Sequence, residues 1–370
     1  MPQPLPPLKI FTDTAGCSAA PCSMLQPLLG HPPPAAGGPV ADYGAVAPRL
    51  FQLVARDEAE VAVLAWDWQV VRDTPGLLGR ARSFIHANAA AGLRTLVFFP
   101  HDREPPLREP HTLVFRTSLL GSQRQRHEFA MPWLTGNLPP FVPGDPPSRP
   151  WRPTPSVGFC GASYRRSFRT PSWLRRTFRP GRCQYERAFP RPPGLRATAL
   201  DRLAATPGLE TRFIERDGFM GGAMRPDGTL DHGRYEQAQR DFFDNLLGTD
   251  YALCARGGGN FSIRFFQALS VGRIPLLIDT DCVMPWPDDI PWQELCVRVD
   301  RREVDGIGGT LLREHKRMGP DGFAARQAEC RAVWRRHLCA TGFFTTLREW
   351  LGRQNLDGTG TVSGRPVRRT

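Results

Sequence analysis

The sequence is poor in lysine, in paired cysteines and in long apolar runs. Lysine occurs twice in 370 residues, at Lys9 and Lys316, so nearly every positive charge is an arginine guanidinium, planar and always ionised. The nine cysteines include no CxxC pair, which excludes zinc sites built from close pairs and argues against a disulfide framework. Free thiols in a reducing compartment are expected. No apolar run approaches the roughly 18–20 residues that cross a bilayer, and MPQPLPPLK lacks the basic start and apolar middle of a signal peptide. These absences lead us to expect a cytoplasmic chain, or one peripheral at the inner membrane, without a transmembrane segment.

What remains is ordinary globular composition, 41% hydrophobic and 23% charged, over a length that suits two domains. The net charge of +12 is concentrated, because residues 149–196 hold twelve arginines against one acid, Glu186. Such a field attracts anions, and its sign does not choose among nucleic acid, nucleotide phosphate, acidic glycan and lipid phosphate. Aromatic residues are interleaved there (Trp151, Phe159, Tyr164, Phe168, Trp173, Phe178 and Tyr185), as stacking platforms for single-stranded nucleic acid would require. No nucleic-acid fold signature accompanies them, so nucleic-acid binding stands as an alternative reading and no nucleic-acid partner is expected.

Proline marks the domain boundary. The stretch 138–156 carries eight prolines and is neither helix interior nor central strand. It divides an N-terminal domain (1–138) from a C-terminal one (156–338) through a linker (139–155), with a terminal helix at 339–352 and a disordered Gly/Thr/Arg-rich tail at 353–370. Short apolar runs alternate with helical patterns on both sides. LKIF (8–11), VAVLAW (61–66), LRTLVFF (93–99) and TLVF (112–115) precede the linker, with an Ala-rich helical stretch at 78–91. SVGFCG (156–161), LETRFIE (209–215), DYALCAR (250–256), IPLLID (274–279) and LCVRVD (295–300) follow it, with helices expected at 234–247, 262–271, 303–317 and 321–338. This grammar predicts an α/β protein of two doubly wound domains, whose ligands bind beyond the carboxyl ends of the strands.

The segment 251–281 carries the chemistry. A buried strand runs into Gly257-Gly258-Gly259, where absent side chains let backbone amides approach a ligand, and then into a helix bearing Ser262 and Arg264 in its first turn. Amides at a helix start carry partial positive charge, and Arg256 and Arg264 add full charges, so a diphosphate is the natural guest. Arg264 and Gln267 share a helix face, which suggests phosphate at the helix start and ribose one turn on. The pattern matches neither GxxxxGK[ST] nor GxGxxG.

Cys254, Arg256, Gly257, Gly259, Ser262, Arg264, Phe266, Ala268, Leu269, Gly272, Arg273, Ile274 and Pro275, continuing to Asp279, Pro285 and IPW (290–292), resemble in order the exostosin family of glycosyltransferases, family 47. A looser likeness extends back to 113–133. The resemblance implies a GT-B fold, two Rossmann-like domains facing across a cleft. The C-terminal domain would bind a nucleotide sugar, usually a UDP-sugar, and the N-terminal domain would offer a glycan or glycolipid acceptor, with inversion at the sugar. No metal or other cofactor is implied. Donor contacts would fall on Arg256, Gly257, Gly258, Gly259, Asn260, Ser262, Arg264 and Gln267, with at least one of Arg165, Arg166 and Arg169, after the first C-domain strand, reaching the diphosphate. Gln267 stands where the family usually has glutamate, which weakens any charge-assisted bond to the ribose and leaves a non-catalytic sugar-nucleotide binder as an alternative. A proton acceptor is sought among N-domain strand ends: Asp13, Asp67 and His101-Asp102, with Asp102 preferred because it ends the best-defined strand. Asp279-Thr280-Asp281 has the spacing of a divalent-metal motif, but it follows the donor helix, where the family pattern gives it no metal role.

Overall fold

Runs of β-branched and aromatic residues on each side of the proline-rich stretch form two parallel sheets. This computed structural model describes residues 5–15, 18–31, 42–102, 106–134, 138–142, 144–163, 193–216, 219–225 and 227–354. The first sheet contains β1 (Leu8–Phe11), β2 (Phe51–Leu53), β3 (Val61–Val63), β4 (Thr95–Phe99), β5 (Thr112–Arg116) and β6 (Glu128–Ala130), in the order β2-β1-β3-β4-β5-β6. The second contains β7 (Ser156–Ala162), β8 (Glu210–Arg216), β9 (Tyr251–Cys254), β10 (Ile274–Asp279) and β11 (Val297–Asp300), in the order β11-β10-β9-β7-β8. All strand pairs within both sheets are parallel. Each sheet reverses its winding once, between β1 and β3 in the first and between β7 and β9 in the second, and such switch points open a crevice at the strands' carboxyl ends. Two doubly wound domains facing across a cleft are the architecture expected of a GT-B fold.

Helices cover the sheets. The N-terminal domain has α1 (Ala47–Leu50), α2 (Trp68–Asp73) and α3 (Leu77–Ala90), and the C-terminal domain has α4 (Pro193–Ala204), α5 (His232–Leu247), α6 (Ile263–Ser270), α7 (Trp292–Leu295) and α8 (Ile307–Val333). Strands β4, β5 and β9 are buried at every position, as parallel strands covered on both faces require. Two helical segments stand near the expected 303–317 and 321–338, separated by a kink within α8 where Gly319 takes a φ of 62° ahead of Pro320. Glycine tolerates that left-handed turn, and proline lacks the N–H that would continue the ladder.

The proline-rich stretch is strapped to the C-terminal domain along its length and is not a free spacer. Arg149 exchanges backbone hydrogen bonds with the Gln327 amide, both at 2.9 Å, and Trp151 stacks on His315 at 5.3 Å. The buried Arg273 donates to the carbonyls of Pro147 (3.1 Å) and Leu247 (3.0 Å), so this motif arginine braces the strap and the end of α5. The last helix, α9 (Ala340–Arg353), returns to the N-terminal domain, where Phe343, Phe344 and Trp350 pack among Tyr43, Phe98, Phe115 and Phe129. The expected tail lies outside the described residues from 355 onward. The described cysteines are free thiols, and among the described residues no helix is long and apolar enough to cross a membrane.

Asp250 anchors the strap. Its buried carboxylate accepts from Ser156 N–H and Oγ (2.8 Å each) and from Arg149 Nε (2.5 Å). Burial favours its neutral form, but the Arg149 and Ser156 hydrogen bonds outweigh this and hold the carboxyl below its ordinary value. Asp250→Ala is therefore expected to lower unfolding free energy by about 3–5 kcal/mol in urea titration at pH 7. A depressed carboxyl stabilises only where it is ionised, so the difference from wild type is full above about pH 4 and shrinks as pH falls through the folded pKa.

Candidate functional site: a cationic crevice at the domain seam

The switch point of the C-terminal sheet is occupied by guanidinium groups. Arg264, second residue of α6, folds back over the ends of β7 and β9 and donates to the carbonyls of Cys160 and Leu253, the latter at 3.5 Å. Its charge lies 4.3 Å over the Phe159 ring and 5.5 Å from that of Phe242. Arg196, from the first turn of α4, approaches the same Phe159 at 5.6 Å and donates to the carbonyls of Ala162, Ala255 (3.1 Å) and Arg256 (2.7 Å). Burial, and then the neighbouring charge of Arg196, push the Arg264 guanidinium down to about 10. Arg264 Nε is buried without a hydrogen bond, and no carboxylate pairs with Arg264 among the described residues. A cation so placed gains from any anion that enters. Nothing in the sequence pattern singles out Arg196, which is there only the last arginine of a crowded stretch.

The glycine turn lies beside this crevice and presses on the other domain. A Cβ on Gly259 would sit 2.9 Å from both Cα and O of Asp102, so only glycine allows this approach. Gly257 faces open space, and its N–H is spent on the Phe261 carbonyl at 3.3 Å. Asn260, expected at the donor, ties the two domains together. Its N–H donates to Ser118 Oγ (2.8 Å), its amide donates to the carbonyls of Leu119 (2.8 Å) and Asp281 (3.1 Å), and its Oδ1 accepts from Thr280 Oγ1 (2.7 Å). Asp281, at a φ of 67°, completes the clasp by accepting from Ser122 N–H (2.8 Å) and Oγ (2.6 Å). Ser262 holds the N-cap position of α6 without a side-chain cap bond, and half-buried Gln267 makes no side-chain hydrogen bond among the described residues. Arg256, Gly257, Gly258, Gly259, Ser262, Arg264 and Gln267 thus derive from one turn and the two helical turns after it. Arg165, Arg166 and Arg169 lie outside the described residues.

The N-terminal candidates differ in setting. Asp13 is exposed and accepts from Ala15 N–H at 2.9 Å in a local turn. Asp102 is exposed, with its backbone against Gly259. Asp67 lies four residues past the end of β3, a strand that borders the switch point of the N-terminal sheet. It stands at the N-cap of α2 without a cap bond, and burial pushes its carboxyl up to about 7. That is the range of a working general base at neutral pH. Of the Asp279-Thr280-Asp281 motif, Asp279 pairs with Arg298 at 2.7 Å and accepts from Cys282 N–H at 3.0 Å, while the Asp281 carboxylate is taken by Ser122. Among the described residues no group of three or more His, Cys, Asp or Glu side chains is gathered to hold a metal.

Comparison with known proteins agrees with the resemblance over a limited part of the chain. No protein-family model matches. A probable glucuronosyltransferase of rice (Oryza sativa subsp. japonica) is 33% identical over 70 residues, 19% of this chain and 16% of that protein. A probable beta-1,4-xylosyltransferase of Arabidopsis thaliana is 33% identical over 63 residues, 17% of this chain and 15% of that one. Exostosin-1c of Danio rerio is 26% identical over 108 residues, 29% of this chain and 14% of its own length. The chain spans about a sixth of the length of the curated relatives it matches. Among solved structures, MurG of Acinetobacter baumannii covers 94% of this chain and 100% of its own at 8% identity and TM-score 0.35. A UDP-glucosyltransferase from Polygonum tinctorium covers 95% and 100% at 11% identity and TM-score 0.33. The chain is similar to exostosin-type glycosyltransferases in sequence; its fold assignment rests on the two sheets themselves.

The clasp yields a stability prediction. Asp281→Ala removes the acceptor for both Ser122 donors and is expected to cost about 1–3 kcal/mol. Hydrogen-exchange mass spectrometry should show faster exchange at Gly121 and Ser122, with the strands of both sheets unchanged.

Proposed function

We propose that the protein is a glycosyltransferase that moves a sugar from a nucleotide-sugar donor, a UDP-sugar, to a glycan or glycolipid acceptor with inversion, contributing to a surface polysaccharide or glycoconjugate. The observation that carries this reading is the crevice at the β7/β9 switch point, where the underpaired Arg264 lies beside Arg196 and a glycine turn. As the bond from the sugar carbon to the diphosphate breaks, its electron pair passes to the diphosphate oxygen. Fixed positive charge beside that oxygen stabilises the developing anion without reorganisation. The acceptor hydroxyl forms the new bond from the N-domain side and gives its proton to a base, a role for which Asp67 is better prepared than the exposed Asp13 and Asp102. Gln267 contributes neutral hydrogen bonds to the donor ribose. It is also the residue that favours the alternative, a non-catalytic binder of sugar nucleotides, and donor hydrolysis or transfer by the purified protein separates the two.

Two variants test the roles. UDP is expected to raise the melting temperature of the wild type and to have no effect on Arg264→Ala; stabilisation by single-stranded DNA alone would contradict the reading. Arg264→Lys, which keeps the charge and loses the planar fork, should retain part of the response and so controls for folding.

Asp67→Asn should lower the transfer rate by about 100-fold or more. Its stability should change in the opposite direction. A carboxyl raised to about 7 opposes folding where it is ionised, so the penalty grows between its unfolded value of 3.8 and the raised one. The neutral amide of Asp67→Asn removes that penalty: the variant melts higher than wild type at pH 8 and equally at pH 4. Wild-type activity rises with pH through about 7 as the base ionises.

A further inference from the structure

The C-terminal sheet ends on a strand that has a neighbouring strand on one side only among the described residues. β8 lies outermost in the order β11-β10-β9-β7-β8, and its register with β7 runs unbroken from the Ser156–Glu210 pair to the Ala162–Arg216 pair. Seven residues without a proline or a bulge make a long edge. Such a strand offers a row of backbone groups to any second strand that arrives, a hazard that proteins usually blunt with short edges, prolines or bulges.

One hydrogen bond fixes which backbone groups face outward. Glu210 N–H donates to the Pro155 carbonyl at 3.0 Å, on the β7 side. Strand backbone alternates with a period of two, so Arg212 and Ile214 also turn inward to β7, while Thr211 and Phe213 turn N–H and C=O outward. The flanking side chains are accessible as well. Glu210, Arg212 and Ile214 are all exposed, and Ile214 is among the few large apolar side chains left so on the described surface.

The sequence of this edge, ETRFIER, is complementary to itself. Set antiparallel to a second copy about a two-fold axis at Phe213, β8 overlaps its mate along its whole length. Phe213 then faces Phe213 and exchanges two backbone hydrogen bonds with it, and the stem of Arg212 lies across Ile214. Glu210 falls opposite Arg216 at both ends, and Glu215 meets Thr211, so no like charges confront each other. Within its own chain Glu210 pairs with Arg152 at 3.2 Å and Arg216 pairs with Asp241. Across the axis these become a row of alternating sign: Arg152, Glu210, Arg216, Asp241.

We infer that the protein forms a two-fold dimer through β8, joining two five-stranded sheets into one continuous sheet. The partner is a second copy of this chain, because the match of charge and register is with its own sequence. A self-complementary patch used by both copies closes after two and does not propagate. Antiparallel pairing also sends the carboxyl ends of the two C-terminal sheets in opposite directions, so each chain keeps its own crevice open. The inference goes beyond the transferase reading and is independent of it.

The test is sedimentation equilibrium of the full chain across the micromolar range, joined to hydrogen exchange at the same concentrations. A monomer–dimer equilibrium is expected, with the Thr211 and Phe213 amides exchanging more slowly where the dimer prevails. Thr211→Pro removes an outward N–H and no bond to β7, a change that edge strands tolerate, and is expected to keep the chain monomeric. Glu210→Arg puts like charges opposite each other twice per dimer and is expected to weaken association by about tenfold. Far-UV circular dichroism matching wild type in both variants separates lost association from lost folding. A wild type that stays monomeric throughout, or either variant associating as tightly as wild type, would overturn the inference.

Discussion

Two guanidinium groups converge on a single phenyl ring at the carboxyl ends of β7 and β9, and this is the constraint around which the C-terminal domain is arranged. Arg264 and Arg196 both lie over Phe159 and are tied down by backbone carbonyls at the strand ends. Carbonyl dipoles fix their positions, but burial first, and then the like charge of Arg196, make Arg264 hold its proton less tightly than an exposed arginine. Rigid strands impose this crowding. A flexible loop would relax it, and with it the pull on an incoming anion.

The second constraint is the seam. The turn that borders the crevice is also the turn that docks the N-terminal domain, through the close approach of Gly259 to Asp102 and the hydrogen bonds of Asn260 to Ser118 and Leu119. Asp281 fastens the loop after β10 to Ser122 in the same place. The donor side and the acceptor side therefore share backbone, and a shift of one domain is felt at the glycine turn. The apolar hollow beside the turn accordingly takes walls from both domains, Thr117 and Met131 from one and Phe261 and Met284 from the other.

The architecture was legible where the signal was long. LRTLVFF and IPLLID are continuous apolar runs bounded by turn residues, and both form buried parallel strands. β2 and β6 were not legible, because three residues with mixed burial carry no periodicity. The glycine turn read correctly as a special backbone, but for Gly259 the reason is another protein segment, a fact no local pattern contains. The clasp made by Asn260 was not legible, since its partners Ser118 and Leu119 lie some 140 residues away in sequence. Asp67 appeared among several strand-end acids, and only the packing around it, which raises its carboxyl, separates it from Asp13 and Asp102. The proline-rich stretch showed its extended form but not its straps, which depend on Asp250, His315 and Gln327.

The central claim, that the crevice beside the glycine turn holds a diphosphate, is tested most directly by calorimetric titration of the protein with uridine, UMP and UDP under one set of salt conditions. If the arginines supply the binding, affinity rises with each phosphate, UDP exceeding uridine by at least a hundredfold, and the advantage shrinks as salt screens the charge. Equal affinity for all three, or an advantage for UDP that salt leaves unchanged, would contradict the account.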